Sequence, residues 1–176
     1  AMLKEENTIK SYISEAFANL FFKLPTGSTM ELRGNNLLIA QVIFKYIRGV
    51  LTSDKRYAPF TYISGEKKYT SILKTRYGEV NLKGYIDRVD AKDGVVRIID
   101  YKTGSGSLEF KDWSDLFSHE PESKKQAPHV LQTLLYGYLY KQKTQLKQII
   151  PAIIYTKHIF NQDFSPLIVY KPEINT

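Results

Sequence analysis

The chain has 176 residues, the size of a domain that can bury a substantial apolar core. Its 25 lysines and arginines exceed its 18 aspartates and glutamates, and the net charge of +7 favours a polyanion as partner. The absence of cysteine excludes disulfides and thiolate metal sites, and no apolar run is long enough to span a membrane. No signal peptide is visible, so we expect a cytoplasmic protein with no membrane partner.

The first third of the chain has apolar residues at helical spacing. Residues 8–24 are predicted as one helix, which the segment Pro25-Thr26-Gly27 ends. A second helix is predicted from Asn35, a residue type that favours the N-cap position. Its packed side is predicted to carry Leu38, Val42, Tyr46 and Ile47. We therefore predict a helical N-terminal part.

The rest of the chain contains strand-like segments and one further helix. Residues 61–90 are rich in Tyr, Thr, Ile and Val, which favour strands, whereas residues 104–127 are polar and are predicted as a long loop. The later predicted elements are a helix from Pro128 to Gln142 and strands at Ile149–Tyr155 and Leu167–Tyr170. This order predicts one α/β layered domain, with a helical part over residues 1–58 and a core over residues 59–176.

The segment from Gly84 to Gly104 reads GYIDRVDAKDGVVRIIDYKTG and carries the clearest chemical signal. Asp93-Gly94 favours a two-residue hairpin turn, and the register of that turn places Asp87 directly opposite Asp100. Opposed residues of an antiparallel pair share a face, and strand alternation adds Lys102 to the same face.

Two opposed carboxylates repel each other, so the pair favours a positive group between them. Mg²⁺ is a hard cation that binds one or two carboxylates together with waters and substrate phosphate. A lysine beside it can orient or deprotonate a water, or neutralise the charge of a phosphodiester under attack. The alternative is a plain hairpin with solvated aspartates. The apolar run Val95–Ile99 argues against that alternative, because Asp100 then ends a strand of the core.

The helix predicted from Pro128 carries a second polar group. Gln132 and Tyr136 are four residues apart and share one face beside the apolar stripe, and His129 falls nearby. Spacing alone favours a helix boundary of mixed polarity. The three histidines of the chain lack metal-ligand spacing, and we assign none of them as a ligand.

Two other charged residues near the hairpin are interpreted as structural. Glu66 precedes the hairpin and could add a carboxylate near the site, although a solvated strand charge is the favoured interpretation. Arg88 follows Asp87, so it is expected to point to the opposite face and to pair with a carboxylate such as Asp90.

Three segments, GYIDRVD, IIDYKTG and QTLLY, together resemble the RecB-type branch of the PD-(D/E)XK nuclease superfamily. The resemblance implies a restriction-endonuclease-like fold, in which helices flank a central mixed sheet. It also implies DNA cleavage that depends on Mg²⁺ or Mn²⁺, by an exonuclease that acts in DNA repair or recombination. We accordingly interpret the chain as part of a larger protein that works with a helicase domain or subunit.

The resemblance also implies roles for individual residues. Lys102 would be the catalytic lysine, and Gln132 and Tyr136 would position DNA or hold the attacking water beside the metal. The implied metal ligands are Asp87, Asp100 and the backbone carbonyl of Tyr101.

One departure from the family pattern concerns a histidine. In RecB-type nucleases a histidine on an early helix completes the metal site, but no histidine precedes His119 in this chain. Either the sequence begins after that helix or the protein has lost the ligand. A catalytically impaired nuclease-like module for DNA binding or docking is therefore an alternative function. A third alternative is a basic α/β domain that binds no metal.

Overall fold

The computed structural model describes residues 2–117, 127–144 and 148–172. The chain forms two compact units, Ala1–Arg56 and Tyr57–Thr176, which are described separately. Within the described residues, no helix combines the length and the apolar content needed to cross a bilayer.

The first unit is helical, as predicted. Helix α1 covers Met2–Ala16 and continues into a π-helical turn, and α2 covers Gly34–Tyr57. The buried cluster of this unit consists of Ile13, Phe17 and Ala40, with Ile9, Leu32, Phe44 and Ile47 packed against it. The predicted packed side of α2 is partly wrong, because Ile47 packs against this cluster but Leu38 and Val42 are 61% and 49% exposed.

The second unit contains a four-stranded mixed sheet. Its elements in chain order are β1 (Thr61–Thr75), β2 (Gly78–Lys92), β3 (Val95–Lys102), β4 (Glu109–Phe110), α3 (Pro128–Lys141), β5 (Ile149–Tyr155) and β6 (Val169–Tyr170). The order in the sheet is β1-β2-β3-β5, and only the β3–β5 pair is parallel. A parallel pair needs a crossover connection, and α3 lies within it. The predicted α/β class with a mixed sheet and flanking helices is confirmed.

Strands β3 and β5 form the centre of the core. Val96, Ile98 and Ile99 on β3, and Ile153 and Ile154 on β5, are at most 2% exposed. Strands of this kind are covered on both faces, which explains why their sequences are nearly continuous apolar runs, interrupted in β3 by the ion-paired Arg97. A charged side chain at the end of β3 therefore lies in surroundings that exclude water.

The segment predicted as a long loop, residues 104–127, contains two short regular elements among its described residues. This segment contains β4, which pairs with β6, and a 3₁₀ turn at Trp113–Phe117. Phe110 is 5% exposed, and its ring lies 5.1 Å from those of both Trp113 and Tyr170. Phe110 is therefore the anchor of this ring contact, whereas Trp113 and Tyr170 stay 54% and 47% exposed. Residues 118–126 lie outside the described residues.

A buried ion network occupies β2 and β3. Arg97 donates two hydrogen bonds to Asp90, from Nε at 3.0 Å and from Nη2 at 2.9 Å. Arg88 Nη2 lies 2.8 Å from Asp90 Oδ2, which confirms the predicted pairing of Arg88. The Arg97 guanidinium also lies 3.8 Å from the ring centre of Tyr57. Since Asp90 is 0% exposed, this network is structural.

Candidate active site

The β2–β3 hairpin has the register that its turn predicted. Asp93 and Gly94 both have positive φ, 51° and 79°, as a type I′ turn requires. Arg88 pairs with Ile99 at the last rung of the ladder. Asp87 and Asp100 are the next residues beyond this last pair, and their charges interact.

The side chain of Asp87 accepts a hydrogen bond from the backbone of the neighbouring strand, β3. Its Oδ2 accepts from the N–H of Tyr101 at 2.8 Å. The carboxylate of Asp87 therefore lies against β3 beside Asp100, and the half-buried side chain is held at the point where β3 leaves the core.

Asp100 is a carboxylate in a dry environment, with 2% of the residue exposed. Burial raises the pKa of Asp100, an effect that Lys102 opposes and that Asp87 reinforces. Lys102 Nζ lies 2.5 Å from Oδ2 of Asp100, so the buried carboxylate is paired with the ammonium group. The charge of Asp87 acts on the same carboxylate and raises its pKa. Two carboxylates thus share one lysine, and a hard cation could balance the remaining negative charge.

Helix α3 brings Tyr136, one residue of its predicted polar pair, to the carboxylates. Tyr136 interacts with the charges of both Asp100 and Asp87, and it shares a side-chain hydrogen bond with Gln132. Burial raises the pKa of Tyr136, and the two carboxylates raise it further, so its hydroxyl stays protonated at neutral pH.

A glycine on β2 makes room for this tyrosine. A Cβ at Gly84 would lie 2.6 Å from Cε1 of Tyr136 and 3.2 Å from Cδ1 of Leu139. Only glycine allows α3 to lie this close to the strand three residues before Asp87. The close approach of helix to strand therefore determines where the Tyr136 hydroxyl sits.

The structure adds His129 and Tyr155, to which sequence reasoning gave no role. His129 Nδ1 lies 2.9 Å from the Tyr155 hydroxyl, and the charge of His129 lowers the pKa of Asp100. Burial raises the pKa of Tyr155, and Asp100 raises it further. Tyr155 is the parallel-strand partner of Lys102. The positions of these two residues depend on the pairing of β5 with β3, which a single sequence does not reveal.

The chemistry of the ligand set limits how a metal could be held. Glu66 is exposed on β1 with φ of 48°, in line with a solvated charge. In the part of the chain that the structure describes, no three His, Cys, Asp or Glu side chains form a group able to hold a metal ion. Two carboxylates suit Mg²⁺, provided that a carbonyl, waters or substrate phosphate complete its shell.

Comparison with known proteins identifies one family. The family model described as the PD-(D/E)XK nuclease superfamily matches residues 2–162. No curated protein shows significant similarity to the chain. Nucleases of this family generally use divalent metal ions. The match covers both of the polar groups described above, on the β2–β3 hairpin and on α3.

Proposed function

The chain belongs to the PD-(D/E)XK nuclease superfamily, and we propose that it is a metal-dependent deoxyribonuclease of the RecB type. The observation that carries this proposal is the pair of interacting carboxylates, Asp87 and the buried Asp100, at the end of β3 beside Lys102. Two neighbouring carboxylates at a buried strand end repel each other, so their presence favours a role in binding a cation.

The donor set fits a hard divalent cation. Asp87, Asp100 and the carbonyl of Tyr101 would hold Mg²⁺ or Mn²⁺, with waters and substrate phosphate in the remaining positions. When bound, the metal would polarise the phosphate and favour ionisation of a water. Because the protein supplies few ligands, we expect weak metal affinity in the absence of DNA.

Lys102 is the residue with the clearest catalytic role. Its side chain is 22% exposed, against 2% for that of Asp100, so the ammonium lies between the buried strand end and the surface. From there it can orient a water and stabilise the negative charge that develops on the scissile phosphate.

Gln132 and Tyr136 act as positioning groups in this proposal. The phenol stays protonated, so it donates a hydrogen bond to a phosphate oxygen or a water and does not remove a proton. The hydrogen bond from Gln132 fixes the orientation of that hydroxyl. The resemblance of the segment QTLLY to RecB-type nucleases supports exonuclease action together with a helicase.

A second candidate function is a nuclease-like module that binds DNA without cutting it. Two observations favour it. The sequence has no histidine before His119. In addition, the described residues offer no group of three acidic or histidine ligands.

Cleavage assays on linear and circular duplex DNA with Mg²⁺ or Mn²⁺ test the proposal. We expect degradation of linear DNA that Asp100→Asn abolishes, with Asp163→Asn, an exposed aspartate, as the matched control. Cutting of circular DNA would indicate an endonuclease instead. DNA binding without cleavage under excess Mn²⁺ would favour the non-cutting module.

A further inference from the structure

The β1–β2 hairpin is much longer than the sheet that it joins. Each strand has 15 residues, but β3 pairs only with the Arg88–Lys92 end of β2. Residues 78–87 of β2 therefore have β1 as their only neighbouring strand among the described residues. The hairpin continues past the sheet as a two-stranded ribbon, which we call the hairpin arm (residues 68–85).

The two faces of the hairpin arm differ in exposure. On one face, Tyr69 and Leu82 pack with the core cluster, and Gly84 lies under Tyr136. The other face, here called the open face, is formed by four cross-strand pairs whose eight residues are all exposed. These pairs are Lys68–Tyr85, Thr70–Lys83, Ile72–Asn81 and Lys74–Glu79.

The residue types of the open face suit nucleic acid. It carries three lysines and one carboxylate, and the single carboxylate, Glu79, lies 3.6 Å from Lys74 Nζ. Lysines contact phosphates, whereas threonine, asparagine and isoleucine can meet base edges and the thymine methyl group. At the tip, Tyr77 is 85% exposed, and the Arg76 guanidinium lies 4.6 Å from its ring centre.

We propose that the open face of the hairpin arm docks on duplex DNA, an inference that rests on the proposed nuclease function. The major groove of B-DNA is about 12 Å wide and admits a two-stranded ribbon. Ten residues separate Asp87 from Tyr77, which at about 3.3 Å per residue corresponds to roughly 33 Å. This length is close to one turn of duplex, about 34–36 Å. The tip of the arm thus lies about one turn of duplex from Asp87 along the ribbon.

A pair of charge-matched triple variants tests the docking surface. The arm variant is Lys68→Ala/Lys74→Ala/Lys83→Ala, and the control variant is Lys4→Ala/Lys55→Ala/Lys141→Ala, which removes three exposed lysines elsewhere. Binding to a duplex of about 20 base pairs, roughly two helical turns, is measured by fluorescence anisotropy in EDTA at several salt concentrations. Circular dichroism melting checks that both variants remain folded.

We expect the arm variant to bind duplex more weakly than the control variant. Its slope of log K against log salt should be shallower by about 0.9 for each phosphate that the removed lysines no longer neutralise. Equal slopes and affinities for the two variants would overturn the proposal. An equal loss of affinity for single-stranded DNA of the same length would also overturn it, because the surface would then not select duplex.

The failure of this inference is distinguishable from the failure of the proposed function. Binding in EDTA requires no catalysis, so a protein that never cuts DNA can still show an arm-dependent affinity. Conversely, if the arm variant cuts and binds DNA as the wild type does, the docking proposal is wrong and the proposed nuclease function is unaffected. Arg76→Ala/Tyr77→Ala provides a second test at the tip, away from the paired strands.

Discussion

The ammonium group of Lys102 lies 2.5 Å from Oδ2 of Asp100, on the same strand and at the point where that strand leaves the core. The aspartate is buried and the lysine is the more exposed partner. The lysine can therefore turn towards a substrate phosphate while the carboxylate stays fixed within the sheet. The pair thus joins a carboxylate held in place by burial to a more exposed lysine.

The first prediction concerns pH and Asp100 in metal-free protein. Burial raises the pKa of Asp100 above its ordinary value of 3.8, so the folded state binds this proton more tightly than the unfolded chain. The stability from this group is fully present below pH 3.8 and is lost as pH rises through the raised pKa. Asp100→Asn has no carboxylate to ionise at this position. The free energy of unfolding of the variant, relative to that of the wild type, should therefore increase with pH. Urea unfolding in EDTA measures this, with Asp163→Asn as control; a pH-independent difference would contradict it.

The second prediction concerns Lys102→Ala. We expect it to retain metal binding but to reduce kcat for DNA cleavage by about 10²–10⁴, the usual contribution of a positioned proton-transfer group. Isothermal titration with Mn²⁺ and single-turnover cleavage measure the two effects. Lys141→Ala, at the exposed end of α3, serves as the control. Unchanged cleavage in Lys102→Ala would remove the lysine from the mechanism.

The third prediction concerns Gly84. A Cβ at this position would lie 2.6 Å from Tyr136, so Gly84→Ala should displace the tyrosine and cost about 1–3 kcal/mol in free energy of unfolding. Gly104→Ala is the matched control, because a Cβ there meets nothing within 4 Å. Cleavage should fall in Gly84→Ala and stay unchanged in Gly104→Ala. Equal stability of the two variants would show that α3 does not need the close approach.

The fourth prediction concerns the hydrogen bond between Tyr155 and His129. Tyr155→Phe should cost about 1 kcal/mol, the typical net value of one such bond, and should shift the ¹⁵N resonances of the His129 ring. Tyr140→Phe removes a hydroxyl from another buried tyrosine without touching His129, and it is the control. Unshifted His129 resonances would mean that the hydrogen bond does not form in solution.

The fifth prediction concerns the buried ion network. Asp90→Ala should destabilise the fold by about 3–5 kcal/mol, because it leaves Arg97 and Arg88 buried without their shared carboxylate. Glu109→Ala breaks the exposed pair with Lys171 and should cost at most about 1 kcal/mol. Chemical denaturation separates these outcomes, and a cost for Asp90→Ala as small as that of the control would contradict the structural role.

Local chemistry made the hairpin and the crossover predictable. The Asp93-Gly94 turn determines its register within a few residues, and the observed Arg88–Ile99 pair confirms it. The predicted helix from Pro128 and the strand Ile149–Tyr155 also match the observed α3 and β5, apart from one residue at the end of the helix. These elements depend on turn residues and apolar runs that the sequence displays directly. The catalytic and metal-binding roles of the individual site residues stay predictions.

Contacts between distant segments were not predictable in the same way. The His129–Tyr155 hydrogen bond joins α3 to β5 and depends on the parallel placement of β5 beside β3. The packed face of α2 was likewise predicted only in part: Ile47 packs as expected, but the neighbouring helix selects Ala40 and Phe44 instead of Leu38 and Val42. Where two faces look alike in sequence, tertiary packing decides between them.

The crossover between β3 and β5 has a consequence for synthesis of the protein. The β1–β2–β3 meander leaves the ribosome first, and the parallel partner of β3 begins only at Ile149. At about 5–20 residues per second, the outer edge of β3 stays unpaired for roughly 2–10 s. That edge includes the apolar run from Val95 to Ile99, the kind of strand on which other chains nucleate aggregates. Nascent chains at this stage, and fragments that end before β5, are therefore the species most exposed to misassembly.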